Sequence, residues 1–447
     1  MNLTINPIKF NNHNFALTKN QNKEQKNYAK IDLANLDASL ALKNQILFKN
    51  ISKIQKRREL IQTTIKENSL PIKAQTLDFV LTPPKEKEGL YLKYSKTGSK
   101  FFELFSRYTL HQDYPIKDEG ELTDAIVYFI KDNNKTKIIN SFIPSDLLPK
   151  LDNKKQTQEA QASCLNAFLG ALIYENEDGF KIAFNFLNDA IGKNIYPKNL
   201  KLEKSSFEKL AEAIEEKGYS WQDIYQETRF FNEQWHYRIH YKDIILSQAQ
   251  GDRRNHEVRE ECIKEAIKKI KSGEINLENA GNNLIYTNYK KPSPKRTQEL
   301  NDFCKQWNLN FDDITLLHKA FLYGEMQDGS ALAHCDTYET LEYVGDAVLG
   351  FCVHEIIQKN LIDAPRQVIS AKRHAFVKNK NLAKLAEKMN LANYTINRDK
   401  ARGEKRTADM FEALMGAIFL DGKEEGINNV YKFLNEHFKD EICNVKY

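Results

Sequence analysis

No run of about 18 consecutive apolar residues interrupts this 447-residue chain, and a membrane-spanning helix needs a run of that order. The first residues, Met1-Asn2-Leu3-Thr4-Ile5-Asn6-Pro7, lack the basic and apolar regions of a secretory signal. Cysteine is scarce: the six present (Cys164, Cys262, Cys304, Cys335, Cys352, Cys443) include no Cys-x-x-Cys spacing, which argues against a zinc site or a disulfide framework. A reducing, cytoplasmic location with no membrane partner is therefore expected. Charge of one sign is missing too. With 66 Lys+Arg against 61 Asp+Glu the net charge is only +5, which is compatible with nucleic acid but is not evidence for it. What the chain does have is 41% hydrophobic residues, enough for real cores, and a length that admits about three domains of ~100 to 200 residues.

The most informative segment is Glu339-Thr-Leu-Glu-Tyr-Val-Gly-Asp-Ala-Val-Leu349. Glu339, Glu342 and Asp346 are spaced i, i+3, i+7 and so share one stripe of a helix, where like charges repel by a few tenths of a kcal/mol per pair, roughly. A similar device follows in Ala408-Asp-Met-Phe-Glu-Ala-Leu-Met-Gly-Ala417, where Asp409 and Glu412 share a face. Carboxylate pairs on helices are ordinarily solvated. These are embedded among Leu341, Tyr343, Val344, Val348, Phe411, Leu414 and Ile418, so both helices read as buried on most sides. Four hard oxygen ligands on two apolar helices suit Mg2+, with Mn2+ as a substitute, because such ions prefer carboxylates completed by water and substrate phosphate. The chemistry this suggests is metal-assisted phosphodiester hydrolysis.

These residues carry a resemblance to a known family. Tyr338–Leu349 resembles the signature helix of the ribonuclease III family, and Ala408–Gly422 resembles its second metal-binding helix. Ser370–Val377 with Asn381-Leu382-Ala383 looks like the connecting helix, and Leu316–Phe321 like the first core helix; together the blocks cover roughly 298–440. The chain departs from the pattern at Tyr338, where the family has a helix-capping Asn, and at Asn397–Glu404, a shortened loop before the second metal helix. The resemblance implies Glu342, Asp346, Asp409 and Glu412 as metal ligands. It implies Glu339, Asp346 and Glu412 as the catalytic acids, with Glu412 the most critical. The expected products carry 5′-phosphate and 3′-hydroxyl ends.

The family resembles a second part of the chain as well. Leu77–Thr82 matches its first core helix, and Glu119-Gly120-Glu121-Leu122-Thr123 matches the turn that follows its signature helix. Laid on without gaps, that spacing puts Tyr91–Ser99 at the signature, with Ser95 and Ser99 opposite Glu342 and Asp346. Aligning Ala162–Ala171 with Ala408–Ala417 puts Ser163 and Asn166 opposite Asp409 and Glu412. Neutral Ser and Asn are poor replacements for carboxylates at such a site, so this copy is expected to be inactive.

Residues 204–272 read as an αβββα module similar to a double-stranded-RNA-binding domain, with strands at Ile224–Phe231, Trp235–Tyr241 and Ile244–Gln250. Asn255 and His256 stand where the family's final helix has a Lys pair, after Arg253 and Arg254, and Asn232-Glu233-Gln234 replaces its Gly-Pro-x-His hairpin. The module carries equal numbers of basic and acidic residues, so weak RNA binding is expected, and a protein-contact role is the alternative.

The expected architecture is mainly α: two all-α ribonuclease III-type helical domains flanking a small α+β double-stranded-RNA-binding domain. In order these are a disordered tail (1–36), a degenerate domain (37–198), the αβββα module (204–272), a linker (273–297) and a catalytic domain (298–447). The expected partner is double-stranded or structured RNA, and the expected assembly an intramolecular pseudo-dimer of the two helical domains, or a homodimer. A non-catalytic RNA-binding or processing scaffold, or a dedicated ribosomal RNA maturation nuclease, is the alternative function.

Overall fold

A computed structural model describes residues 33–84, 89–115, 117, 119–192, 204–252, 255–281, 291–323, 337–361, 364–396 and 403–446. Most of the expected disordered tail, together with Cys335, Arg253, Arg254 and the loop residues 397–402, lies outside the described residues. The chain divides into two compact units, Met1–Arg57 and Arg58–Tyr447. The described part of the first is the leading portion of helix α1 (Leu33–Glu67), which begins four residues inside the expected tail.

The second unit opens with a run of helices: α2 (Ala74–Val80), α3 (Gly89–Asp113), α4 (Glu119–Phe129), α5 (Asp132–Asn140), α6 (Lys154–Glu175) and α7 (Gly179–Gly192). The block Glu119–Thr123, expected as a turn, is instead the first turn of α4. Its acids sit at the positive end of the helix dipole, where they are stabilising. Helix α6 begins where the Asn153 side chain accepts bonds from the backbone N–H groups of Lys155 and Gln156. From Gln161 to Ile173 it is buried almost all round.

The αβββα module follows the expected order: α8 (Ser206–Glu215), β1 (Ile224–Phe231), β2 (Gln234–Tyr241), β3 (Ile244–Gly251) and α9 (Asn255–Ser272), with an antiparallel sheet in order β1-β2-β3. A capping box starts α8, in which the Ser205 and Glu208 side chains bond reciprocally to each other's backbone N–H. The β1–β2 hairpin turns on Asn232 and Glu233, both with positive φ (50° and 61°), as a tight two-residue turn demands. Strand β2 therefore starts at Gln234, one residue earlier than the periodicity suggests. The segment expected as a linker is structured at both ends. Leu277 is buried against the module's core, and Pro294 already opens a helix capped by Ser293. The chain then forms α10 (Pro294–Gln306), α11 (Ile314–Ala320), α12 (Glu339–Asn360), α13 (Arg366–Phe376), α14 (Asn379–Lys388), α15 (Glu404–Asp421) and α16 (Gly426–Asn444).

The fold is thus mainly α with one small α+β module, as expected. One hydrophobic core runs through both helical segments, while the module keeps its own. Helices α3 and α12 pack against each other, and Phe351 meets Phe101 and Phe180 edge-on at 5.7 and 5.5 Å. The Tyr343 hydroxyl donates to the Leu122 carbonyl at 3.1 Å. Buried within the same seam, the Glu355 carboxylate accepts from the Thr97 and Tyr174 hydroxyls at 2.9 and 2.6 Å, and Gln358 donates to both hydroxyls as well. The module is tied on by Lys117, only 2% exposed, whose ammonium bridges Glu121 at 3.2 Å and Glu208 of α8 at 2.8 Å. Among the described residues no helix is long and apolar enough to cross a membrane.

Candidate active site

The site is built where α12 and α15 cross at a distance that only glycine permits. A Cβ on Gly345 would lie 1.9 Å from the Glu412 carbonyl oxygen, and one on Gly416 would lie 2.1 Å from that of Leu341. This contact turns Glu342 toward Asp409 and Glu412, whose nearest carboxylate oxygens all lie within 4.8 Å of one another. Glu342 and Asp409 are buried, and Glu412 is half-buried.

Crowding acids in this way is unfavourable, and their protonation shows it. Burial, reinforced by Asp409, pushes Glu342 up to about 8. Burial together with Asp346 and Glu342 pushes Glu412 up to about 9. Asp409 rises to about 6 through burial, against the pull of Lys405. Among the described residues no Lys or Arg forms a salt bridge to any of the three. The cluster is short of a cation, and its all-oxygen donor set fits a small divalent ion that retains water.

Of the residues singled out in the sequence, the structure brings Glu342, Asp409 and Glu412 together and sets two at the margin. Asp346 is half-exposed, and its carboxylate meets Arg107 of α3 at 3.4 Å. Glu339 lies in the first turn of α12, outside the tight cluster. Tyr338 makes no side-chain cap. Thr337 caps instead, its hydroxyl accepting the Glu339 N–H at 3.4 Å, while Tyr338 stacks on Tyr323 at 5.6 Å.

Sequence reasoning missed two residues, both from the N-terminal helices. Arg107 donates to the Tyr343 carbonyl at 3.1 Å and lies over the Tyr343 ring as well as meeting Asp346. Glu119 is half-buried and raised by burial, and it feels Lys405, Glu339, Arg107 and Asp346. A signal existed for Glu119, which heads the block Glu119–Thr123. None existed for Arg107, whose role depends on a partner 239 residues away in sequence.

The N-terminal helices repeat the crossing. A Cβ on Gly98 would lie 1.8 Å from the Asn166 carbonyl oxygen, and one on Gly170 would lie 2.0 Å from that of Tyr94. Gly98 thus corresponds to Gly345, Gly170 to Gly416 and Asn166 to Glu412, the correspondence laid out from sequence. Ser95, Ser99, Ser163 and Asn166 occupy the acid positions. Ser163 pairs with the buried Tyr91 hydroxyl at 3.2 Å, and the Asn166 side-chain oxygen has no partner.

Residues 339–423 match the sequence profile described as Ribonuclease III domain. The chain is 33% identical over 150 residues to Ribonuclease 3 of Treponema denticola, covering 32% of this chain and 58% of that protein. It is 36% identical over 116 residues to Ribonuclease 3 of Francisella tularensis, covering 25% and 47%. The chain therefore spans about half the length of these curated relatives. Among solved structures, Dicer from Giardia intestinalis is similar at 11% identity and a TM-score of 0.45, covering 87% of this chain and 63% of that one.

Proposed function

Because this chain belongs, through residues 339–423, to the ribonuclease III family, we propose that it is a metal-dependent endoribonuclease acting on double-stranded or structured RNA. The observation that carries this reading is the Glu342–Asp409–Glu412 cluster, with ligand atoms within 4.8 Å of one another and, among the described residues, no cationic side chain bridging it. These three would hold Mg2+ or Mn2+, with Asp346 as a fourth, outer ligand and Glu339 as a nearby acid. When bound, the cation supplies charge neutralisation at the scissile phosphate and activation of the attacking water. Arg107 holds Asp346 in place. Glu119 and Lys405 set the local field around the carboxylates.

In this reading residues 37–198 form a degenerate ribonuclease III domain, 204–272 an RNA-binding module of low affinity and 298–447 the catalytic domain. The two helical domains pair within one chain. The Glu355 seam supports that choice over a dimer of two C-terminal domains. By the glycine correspondence, Thr97 and Tyr174 stand where the C-terminal half has Val344 and Leu420. A C-terminal homodimer would leave the buried Glu355 facing two aliphatic side chains, and leaving a buried polar group without its hydrogen bonds costs about 1 to 3 kcal/mol. One live site per pair then gives one cut per duplex.

The test is Glu412→Gln, which removes an anionic ligand at nearly constant shape. The variant should fold, bind duplex RNA and fail to cleave it in Mg2+; cleavage at the wild-type rate would sink the assignment.

A further inference from the structure

The inactive site is not merely stripped of its acids; its surroundings have changed sign. On the live side Arg107 stands beside Asp346, amid Glu119, Glu339, Glu342, Asp409 and Glu412. By the glycine correspondence, the counterpart of Asp346 is Ser99, and that of Arg107 is His354. His354 is 7% exposed, and neither of its ring nitrogens has a hydrogen-bond partner. The charges around it are Lys96 and Lys100 of α3 and Arg373 of α13. The Arg373 guanidinium packs over Gly350, one turn before His354, 3.4 Å from where a Cβ would sit, and touches the ring of His374.

Lys100 and Arg373 lack compensation. The carboxylates whose charge acts on Lys100 are Glu103 and Asp346, and both are already engaged by Arg107, at 3.8 and 3.4 Å. Among the described residues no carboxylate pairs with Lys100 or Arg373. Burial and the neighbouring Arg373 hold the Lys100 ammonium below its usual range. Burial and the surrounding cations hold His354 at about 3, a neutral ring able to donate one hydrogen bond. The live site is short of a cation; its counterpart is short of an anion.

We propose that Lys100, Arg373 and His354 form a phosphate-binding site that grips the backbone of the uncut RNA strand, where the active site of a two-cut enzyme would have severed it. Guanidinium, ammonium and an imidazole N–H are donors suited to phosphodiester oxygens. Lys96, exposed at the rim, extends the same field. This inference rests on the endoribonuclease reading above.

The experiment uses the full chain carrying Glu412→Gln, so that duplexes are bound but not cut. Binding is measured for RNA duplexes with one neutral methylphosphonate at each successive position of the uncut strand. The parent should lose roughly tenfold in affinity at one or two adjacent positions, the loss expected of one charge-assisted bond. Lys100→Gln/Arg373→Gln should give a flat scan and a salt dependence shallower by about 1 to 2 in log–log slope. Lys100→Arg, which keeps the charge, should retain the sensitive positions. A flat scan in the parent overturns the site. So does a scan unchanged by the double variant, or competition by free inorganic phosphate with no positional dependence on RNA, which would mark a free-anion site. If the wild-type chain neither binds nor cleaves duplex RNA in Mg2+, the endoribonuclease reading fails and takes this site with it. Cleavage with a flat scan fails the site alone.

Discussion

At the scale of single residues, protonation and metal are linked. Glu342 at about 8 and Glu412 at about 9 lie above their usual carboxylate range in the metal-free protein. The folded state therefore holds protons that the unfolded chain has released, and stability falls as pH rises through that interval. The contribution is fully present below about pH 4.5, the unfolded value, and is lost by about pH 9. Metal-free protein should accordingly melt at progressively lower temperature from about pH 7 to pH 9, above the range in which the buried His111 and His354, held at about 4 and 3, offset the trend. Added Mg2+ should flatten that trend, because the cation prefers the deprotonated ligands. Differential scanning fluorimetry with and without EDTA checks both; a metal-free melting temperature that rises with pH would contradict the buried cluster. The N-terminal helices give the converse experiment. Ser163→Asp with Asn166→Glu should not revive a second cut, since Ser95 and Ser99 remain neutral. It should lower the melting temperature, because Ser163 is 6% exposed beside the buried Tyr91 hydroxyl and an unpaired carboxylate there is costly. Strand-resolved gels showing a second cut would refute the alignment.

At the scale of elements, the helix crossing is the feature on which both halves depend. Gly345→Ala would drive a methyl into the Glu412 carbonyl, so α12 and α15 must separate. A loss of about 1 to 3 kcal/mol of stability is expected, together with loss of cleavage from a displaced Glu412. Urea denaturation and a cleavage assay measure the two; wild-type values for both would mean the crossing is looser than described. Much of this was legible beforehand. Carboxylates at helical spacing amid apolar residues revealed α12 and α15, periodic faces revealed the module's α8 and α9, and the alternation in 224–250 revealed three strands. What the sequence hid was long-range or energetically local. The Glu119 block could be read as a family turn, but its helical state depends on acids at a helix start. The Arg107–Asp346 pair joins two helices far apart in the chain. The cations around His354 draw on α3 and α13 together, and no linear window contains them.

For the whole molecule, the question is whether the acidic cluster meets its acid-free counterpart in the same chain or the same cluster of a second copy. The seam of Glu355, Thr97, Tyr174 and Gln358 favours pairing within the chain. A covalent partner also competes at an effective concentration of roughly mM. A duplex labelled on both strands should therefore be nicked on one strand per binding event by a protein that light scattering finds to be monomeric. A dimer producing staggered double cuts would refute the pseudo-dimer. Thr97→Val with Tyr174→Leu, which makes the seam match the C-terminal half, should loosen the internal pairing and raise the proportion of dimer in sedimentation.

The buried Lys117 gives the assembly one more property. Because its ammonium is shared between Glu121 and Glu208, the αβββα module is seated on the N-terminal helices. On the proposed function, the span from the surface where the module would meet a duplex to the carboxylates of Glu342, Asp409 and Glu412 is set by that seating. Such an arrangement would behave as a calliper: the seating at Lys117 would set the jaws, and the spacing between them would be written into the position of the proposed nick.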